Sequence, residues 1–227
     1  SAERLEMKLL NKVTGPDRAI LVKSVKTIVD QVDAMKRLVN DFRDFARLPS
    51  ADLKPLDLNA LISDVLQLYG DSVIQANPPE QVPIVTDLDL DCPMIQADAE
   101  QLRQVLHNLL QNAQDATEAV IEPSGQTSPG ERPKHAVILS TKWRKTSQRV
   151  RLVVRDYGVG FPEAILKRAF EPYVTTKAKG TGLGLAVVKK IADDHGARID
   201  ISNVVEDGVV KGAQVSLSFN ISNMGAA

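Results

Sequence analysis

The stretch GTGLGLAVVKK, residues 180–190, places three glycines within five residues directly before an apolar-periodic helix. Such a helix start suits a phosphate group, because main-chain N–H groups and the positive end of the helix dipole converge there. Glycine also lets a ligand approach the backbone closely. Capping or tight packing accounts for many glycines at helix starts, so the motif alone leaves both interpretations open.

A polar edge runs along the helix that we predict after Asp98. Asn108, Asn112 and Asp115 follow one another at separations of four and three beside its apolar stripe, which aligns them on one edge. A side-chain amide oxygen is a hard, neutral ligand, suited to a Mg²⁺ ion that already carries triphosphate oxygens and water. Solvated or locally bonded amides are the alternative interpretation.

The segment RDYGVGF, residues 155–161, ends a β-rich run with a carboxylate and two glycines. Asp156 can accept a hydrogen bond from an exocyclic amine such as that of adenine. Gly158 and Gly160 would let the backbone pass beneath a flat ring. A turn that ends a strand favours the same residue types, so adenine binding and a plain turn are equally good interpretations of this segment.

The third segment, FEPYVTTKAKGTGLGL, leads into the glycine-rich helix start. Phe170 and Tyr173 are aromatic in a chain with few aromatics, and Thr175, Thr176 and Lys177 offer two hydroxyls and a cation. We call residues 173–183 the lid segment, because a loop of this chemistry is suited to cover a nucleotide. A plain solvated loop is the alternative.

The first 50 residues are predicted to form a helical hairpin. A short helix over 3–13 is broken around 14–17, and a long helix over 18–48 carries an apolar seam at alternating spacings of four and three. Pro16 and Asp17 suit the start of the second helix. Such a seam calls for a partner, either a second copy of the chain, making a four-helix bundle, or the chain's own second domain.

After a hinge over 49–55, residues 51–227 mix helices and strands. We predict helices over 60–69, 99–121, 162–168 and one ending at His195. The extended segments cover 81–88, 93–96, 135–143, 150–157, 197–204 and 212–219, and residues 122–134 form a surface loop. Consecutive strands are close enough to pair as antiparallel hairpins. This favours an α+β fold, a two-layer α/β sandwich preceded by a helical hairpin, over a doubly wound parallel sheet.

Composition narrows the function classes. The net charge of the 227 residues is -1 and basic residues are scattered, so no nucleic-acid partner is expected. The single cysteine, Cys92, can form no internal disulfide. No apolar run reaches the roughly 18 residues needed to span a bilayer, so we expect no membrane contact by this part.

The order of these motifs resembles the ATP-binding domain of sensor histidine kinases. An Asn-bearing helix, D-x-G-x-G, F-x-P and G-T-G-L-G-L follow one another as in that domain, whose Bergerat or GHKL fold is shared with gyrase, heat-shock chaperones and mismatch-repair ATPases. The likeness covers about residues 53–219. The hairpin resembles the dimerisation and phosphotransfer domain of the same enzymes. The segments VDAMKRLVNDFRDFARLP and TTKAKGTGLGL look like nitrogen-regulation sensor kinases of the NtrY type.

The resemblance implies ATP and Mg²⁺ as cofactors and assigns roles to residues. Asn108, Asn112 and Lys177 would be catalytic, with Asn112 the metal ligand. The implied ATP-binding residues are Asn108, Asn112, Asp115, Asp156, Gly158, Gly160, Phe170, Thr175, Thr176, Lys177, Gly180, Thr181, Gly182, Leu183, Gly184 and Leu185. Catalysis would consist chiefly of charge neutralisation and positioning of the γ-phosphoryl group for a histidine nitrogen.

The chain also departs from that family. None of its histidines, His107, His135 and His195, lies in the sequence motif that surrounds the family's phosphate-accepting histidine. Each is therefore expected to be structural or solvent-facing. We also expect that the chain begins inside the first helix and does not phosphorylate itself. Asn108 stands where the ATPase relatives carry a water-activating glutamate, which favours phosphoryl transfer over hydrolysis. Ala213 stands where several relatives carry a threonine that touches the nucleotide.

The leading hypothesis is therefore the ATP-binding portion of a two-component histidine kinase. The implied partners are a response regulator and a second copy bound through the hairpin. The implied location is cytoplasmic, in a parent anchored in the bacterial inner membrane. A GHKL-type ATPase module and a nucleotide-independent dimeric scaffold are the alternatives.

Overall fold

The computed structural model describes residues 16–46, 48–75, 82–120, 136–177 and 180–221. Two predicted features, the short helix over 3–13 and the loop over 122–134, lie outside these residues, as does His135. The first described element is helix α1, Pro16–Ala46, with Asp17 in its first turn. The predicted long helix is confirmed, and its described range lies two residues earlier at each end than the predicted 18–48.

The apolar seam of α1 is largely exposed. Val25 is buried, but five seam side chains, those of Ile28, Val32, Met35, Val39 and Phe42, are between 44% and 67% exposed. The described part of the chain therefore leaves most of the seam uncovered, and the expectation of a second copy stays a prediction.

Two sheets follow α1. Strands β1, Lys54–Leu56, and β3, Ile95–Ala97, form a small antiparallel pair. The main sheet consists of β2, Ile84–Leu88; β4, Val137–Arg144; β5, Arg149–Arg155; β6, Arg198–Glu206; and β7, Val209–Asn220. Its order is β2-β4-β5-β7-β6, with β2 and β4 parallel and the other neighbours antiparallel. The predicted hairpins β4–β5 and β6–β7 are confirmed.

The helices of this part are α2, Leu58–Gln75; α3, Ala99–Glu118; the short α4, Glu163–Leu166; and α5, Gly184–Asp194. One hydrophobic core joins α2, α3 and α5 to the sheet. Alternate residues of β5 are buried, because successive side chains of a strand point to opposite faces and one face carries the helices. The predicted two-layer α/β sandwich is thus confirmed.

Side-chain caps set where α2 and α3 begin. The Oδ1 atom of Asp57 accepts the N–H groups of Asn59 and Ala60. Likewise, Asp98 Oδ1 accepts the N–H groups of Glu100 and Gln101. Each carboxylate satisfies two of the donors that a helix start leaves unpaired. The predicted helix start after Asp98 is confirmed, and α2 extends beyond the predicted 60–69 at both ends.

The predicted hinge over 49–55 is corrected in part, because this segment is fastened to the start of α3. Gln101 Nε2 donates to the carbonyl of Pro49 at 2.9 Å, and the Asp52 N–H donates to Asp98 Oδ2 at 3.0 Å. The segment also leads into β1, which we did not predict because these polar residues show no strand periodicity. The Asp52 N–H is the main cause that lowers the pKa of Asp98, ahead of the N–H groups of α3.

His195 connects the end of α5 to the start of α3. It is buried, its Nδ1 lies 2.8 Å from the carbonyl of Ile191, and its Nε2 accepts the Asp98 N–H at 2.9 Å. The carbonyl requires the proton on Nδ1, so the ring is the neutral tautomer with Nε2 as acceptor. The expected structural role of this histidine is confirmed, and the contact aligns the two helices that carry the candidate site.

Candidate functional site

The polar edge of α3 faces the glycine start of α5. Asn108 and Asn112 are half-buried beside the largely apolar buried face of the helix. A Cβ atom placed on Gly184 would lie 3.5 Å from Asn112 Nδ2 and 3.8 Å from Asn108 Oδ1. The structure therefore brings together two of the predicted motifs, which are more than 70 residues apart in sequence.

The lid segment reaches the same edge through Lys177. Its ammonium donates to Asn112 Oδ1 at 2.9 Å and to Asp115 Oδ2 at 2.8 Å. A carboxylate and an amide oxygen thus hold a cation between them. This contact joins three residues that the sequence analysis assigned to one site.

Asp156 is a half-buried carboxylate of the site. Its Oδ1 accepts the N–H of Gly158 at 2.9 Å and the N–H of Ala213 at 3.0 Å. No described residue bonds to Oδ2, which leaves one oxygen able to accept an amine. Burial raises the pKa of Asp156, and the two N–H groups, followed by the charges of Lys177 and Arg155, oppose the rise without cancelling it.

Residues 156–161, which we call the Asp156 loop, are anchored by two polar side chains from other elements. Thr117 of α3 is fully buried, and its Oγ1 accepts the Tyr157 N–H at 3.1 Å. Asn203 of β6 forms a two-bond clip: its Oδ1 accepts the Phe161 N–H at 2.7 Å, and its Nδ2 donates to the Phe161 carbonyl at 2.8 Å. Helix and sheet therefore fix the loop at both ends.

The backbone of Gly212 in β7 packs closely against this loop. It has a φ of +146°, and a Cβ atom there would lie 2.0 Å from the Asp156 carbonyl oxygen. No L-residue fits that approach without moving the loop. The same strand then presents the Ala213 N–H to the Asp156 carboxylate, which is a main-chain contact that any residue except proline would provide at position 213.

The motif glycines mostly make room for the chain itself, which corrects the expectation that they clear space for a ligand. A Cβ on Gly158 would meet the Ala116 carbonyl at 2.8 Å, and one on Gly160 would meet Asn203 Oδ1 at 2.8 Å. A Cβ on Gly182 would meet the Tyr173 backbone at 2.5 Å. Of the glycines predicted to bind ATP, only Gly184 turns its open side toward the amide edge.

The remaining predicted residues lie around the lid segment with less contact to the site. Thr175 and Thr176 are exposed, and Thr175 Oγ1 accepts the Lys177 N–H at 3.1 Å. Leu183 is fully buried and Leu185 packs against the core, so their side chains serve packing and only their backbone is available to a ligand. Three others, Phe170, Gly180 and Thr181, are half-buried.

Sequence reasoning missed Thr117, Asn203 and Gly212 as parts of the site. Thr117 lies two residues beyond Asp115 on the same helix, and a buried threonine has no distinguishing sequence signal. Asn203 is a polar residue inside a strand, where asparagine is disfavoured, and that anomaly is the one signal that pointed to it.

The residues present fit Mg²⁺ with a nucleotide. Among the described residues no group of three or more His, Cys, Asp or Glu side chains is placed to hold a metal. Mg²⁺ keeps several waters and is commonly bound through few protein ligands together with phosphates, which suits the sparse set of Asn108, Asn112 and Asp115. The Lys177 ammonium on the same oxygens demonstrates that they accept a cation.

Residues 97–223 match the family of histidine kinase-, DNA gyrase B-, and HSP90-like ATPases. The chain belongs to this family. Nitrogen regulation protein NtrY of Azorhizobium caulinodans is 33% identical over 219 residues, which are 96% of this chain and 26% of that protein. The sensory histidine kinase/phosphatase NtrB of Rhizobium leguminosarum bv. phaseoli is 29% identical, covering 85% of this chain and 48% of its own length. The chain thus spans less than half the length of these curated relatives.

Solved structures share the fold of this family member. ShkA, solved full-length in complex with AMPPNP, has a TM-score of 0.63 and 26% identity, covering 95% of this chain and 41% of ShkA. Histidine kinase ThkA in complex with response regulator protein TrrA has a TM-score of 0.65 at 20% identity, covering 96% and 56%; that likeness concerns the fold alone. The resemblance to sensor histidine kinases of the NtrY type is confirmed. None of the described helices is long and apolar enough to cross a membrane.

Proposed function

We propose that residues 51–227 form the ATP-binding catalytic part of a two-component sensor histidine kinase and that residues 1–50 belong to its dimerisation hairpin. The observation that carries the proposal is the convergence of Asp156, the α3 amides and Lys177 on one side of α3. These groups provide an acceptor for an exocyclic amine, oxygens for a hard cation, and a cation for phosphate. The family membership and the NtrY relative support the same reading.

The base would bind at the Asp156 loop. Asp156 Oδ2 would accept the adenine amine, while the N–H groups of Gly158 and Ala213 hold the other oxygen in place. A preorganised acceptor loses little entropy on binding, so the specificity for adenine would come from this one carboxylate. The rigid anchoring through Thr117 and Asn203 serves that purpose.

The phosphates would bind between α3, the start of α5 and the lid segment. Asn112 would be the metal ligand, Asn108 would contact the same ion or its waters, and Lys177 would neutralise phosphate charge. Mg²⁺, when bound, neutralises the developing charge and orients the γ-phosphoryl group. Asn108 cannot accept a proton at neutral pH, so this chain would position the γ-phosphoryl group for a histidine nitrogen and would activate no water.

The acceptor histidine, the response regulator and the second copy belong to the whole protein and are part of this proposal. The exposed seam of α1 supports a second copy as its cover. ThkA, which shares the fold, was solved with a response regulator, and this supports a regulator as the partner. We further propose a cytoplasmic location, where Mg-ATP is found, in a parent anchored in the inner membrane.

Calorimetry with AMPPNP, with and without Mg²⁺, tests the proposal. We expect binding in the presence of Mg²⁺ and its loss in the Asp156→Asn variant. No binding to the folded chain would contradict the proposal and favour a nucleotide-independent scaffold. Steady release of phosphate from ATP that stops in Asn108→Ala would also contradict it and favour an ATPase module. Acid-labile phosphate on His107, His135 or His195 would contradict the placement of the acceptor outside this chain.

A further inference from the structure

The Lys177 ammonium contacts the oxygen of Asn112, the proposed metal ligand, and the neighbouring carboxylate of Asp115. It lies 2.9 Å from Asn112 Oδ1 and 2.8 Å from Asp115 Oδ2. Both partners belong to α3, one helical turn apart, and the ion pair is partly shielded, with side-chain exposures of 36% and 40%. An ammonium in this position satisfies the two oxygens as a bound cation would.

A divalent ion and this ammonium cannot share the two oxygens. Mg²⁺ binds oxygen at about 2.0–2.1 Å, which would place it within contact distance of an ammonium that uses the same Asn112 oxygen. Two like charges so close, in a partly shielded site, repel each other strongly. Binding of the metal therefore requires Lys177 to leave.

Lys177 gives the lid segment a polar contact with α3. Three further hydrogen bonds lie within the segment: Thr175 Oγ1 accepts the Lys177 N–H, the Gly180 N–H donates to the Lys177 carbonyl, and the Tyr173 N–H donates to the Gly182 carbonyl. The Val174 N–H donates to the Glu171 carbonyl, just outside the segment. Lys177 thus ties this turn to Asn112 and Asp115.

We propose that Lys177 determines the form in which this site takes up metal: it excludes a free divalent cation and admits the metal only together with nucleotide phosphates that draw the ammonium away. This inference rests on the proposed function. Triphosphate oxygens attract the ammonium at least as well as one carboxylate does. A metal–nucleotide complex can therefore exchange partners with Lys177, whereas a bare metal ion brings no such anion.

Titration with Mn²⁺ alone, followed by the loss of the free-ion electron paramagnetic resonance signal, tests this inference. Mn²⁺ prefers the same oxygen ligands as Mg²⁺. We expect Lys177→Met to bind Mn²⁺ up to about fivefold more tightly than the unchanged chain, because a partly exposed ion pair contributes at most about that factor. Asp115→Asn in the Lys177→Met background should abolish the gain. The control is Lys189→Met, which removes a lysine paired with Asp193 on α5 and should match the unchanged chain.

Hydrogen exchange of the lid segment provides a second readout without metal. Lys177→Met and Asp115→Asn should each increase exchange at residues 173–177, whereas Lys189→Met should not. An equal Mn²⁺ affinity in Lys177→Met and Lys189→Met, or an unchanged lid exchange in both lid variants, would overturn the inference. Binding of Mg-AMPPNP by the unchanged chain distinguishes failure of this inference from failure of the proposed function. If the unchanged chain binds Mg-AMPPNP while these variants show no effect, the inference fails and the proposed function stands.

Discussion

The Asp156 loop and the lid segment flank the same helix but are held in opposite ways. Three elements fix the Asp156 loop: Thr117 from α3, Asn203 from β6 and the close approach of Gly212 from β7. The lid segment contacts α3 through Lys177, and the side chains of Thr175 and Thr176 are exposed. The loop belongs to the folded core in energetic terms, and the lid segment can exchange its partner at small cost.

Because of this difference, two glycine motifs that look alike in sequence have different structural roles. In the Asp156 loop, a side chain on Gly160 would collide with Asn203, so the glycine builds the rigid side. At the end of the lid segment, Gly184 leaves space toward Asn108 and Asn112, which is the place for a ligand. The base side is thus preformed, and the phosphate side is completed by rearrangement.

Gly212→Ala should produce the largest effect on the rigid side. Its added Cβ would collide with the Asp156 carbonyl, so we expect a loss of about 3 kcal/mol or more in the free energy of unfolding, together with loss of nucleotide binding. The control is Gly208→Ala, at φ +77° with nothing within 4 Å, which should cost only about 1 kcal/mol. Urea denaturation measures the stability of both variants. Equal losses of stability would contradict the close packing of Gly212 against the Asp156 loop.

Asp156→Asn should separate binding from stability. The new amide would present N–H to the adenine amine, so the Kd for AMPPNP should rise by about 30-fold or more. Because burial raises the pKa of Asp156, its charge is unfavourable in the folded state, and the variant should unfold at a higher urea concentration at neutral pH. Asp200→Asn, on an exposed residue of β6, is the charge-matched control and should do neither.

Adenosine binding should weaken as the pH falls, and should begin to do so above the ordinary pKa of aspartate. The folded-state pKa of Asp156 lies above its unfolded value, so protonation stabilises the fold at low pH, and this contribution is lost as the pH rises through the folded pKa. Binding follows the opposite course, since only the carboxylate is a full acceptor. Adenosine carries no phosphate that titrates. A pH dependence that survives in Asp156→Asn would assign the effect to another group.

Asn203→Ala should have an intermediate effect. Losing both bonds to Phe161 should cost about 1–2 kcal/mol of stability and raise the Kd for AMPPNP about three- to tenfold, with unchanged hydrogen exchange in the lid segment. The control is Ser202→Ala, on the same strand as Asn203, which removes the 3.2 Å hydrogen bond that Gln214 of β7 donates to Ser202. An affinity for AMPPNP that matches this control would limit Asn203 to a structural role.

Thr175→Ala should have the smallest effect. It removes one exposed hydrogen bond inside the lid segment, so the free energy of unfolding should change by less than about 0.5 kcal/mol. The Kd for AMPPNP should stay within about twofold. A change in stability as large as that of Asn203→Ala would show that the lid segment is as firmly integrated as the Asp156 loop, and the contrast between them would disappear.

The sequence alone determined the elements whose signals are local. Capping chemistry and periodicities of 3.6 and 2 depend only on neighbouring residues. They predict the long helix α1, the start of α3 after Asp98, and the strands β4 to β7. The two-layer fold followed from the order of those elements. Strand β1 was missed because three residues carry no periodicity, and its pairing with β3 is the contact that defines it.

The site divides along the same line. The sequence identified Asn112, Asp156 and Lys177 by residue type, motif order and resemblance, but it gave no distances. Only the tertiary structure decided that Lys177 lies on Asn112 and Asp115, that Asn203 holds the Asp156 loop, and that most motif glycines face protein. Those facts depend on which surfaces come into contact when α3, β6 and β7 pack together. Residues far apart in sequence show no local pattern that predicts such contacts.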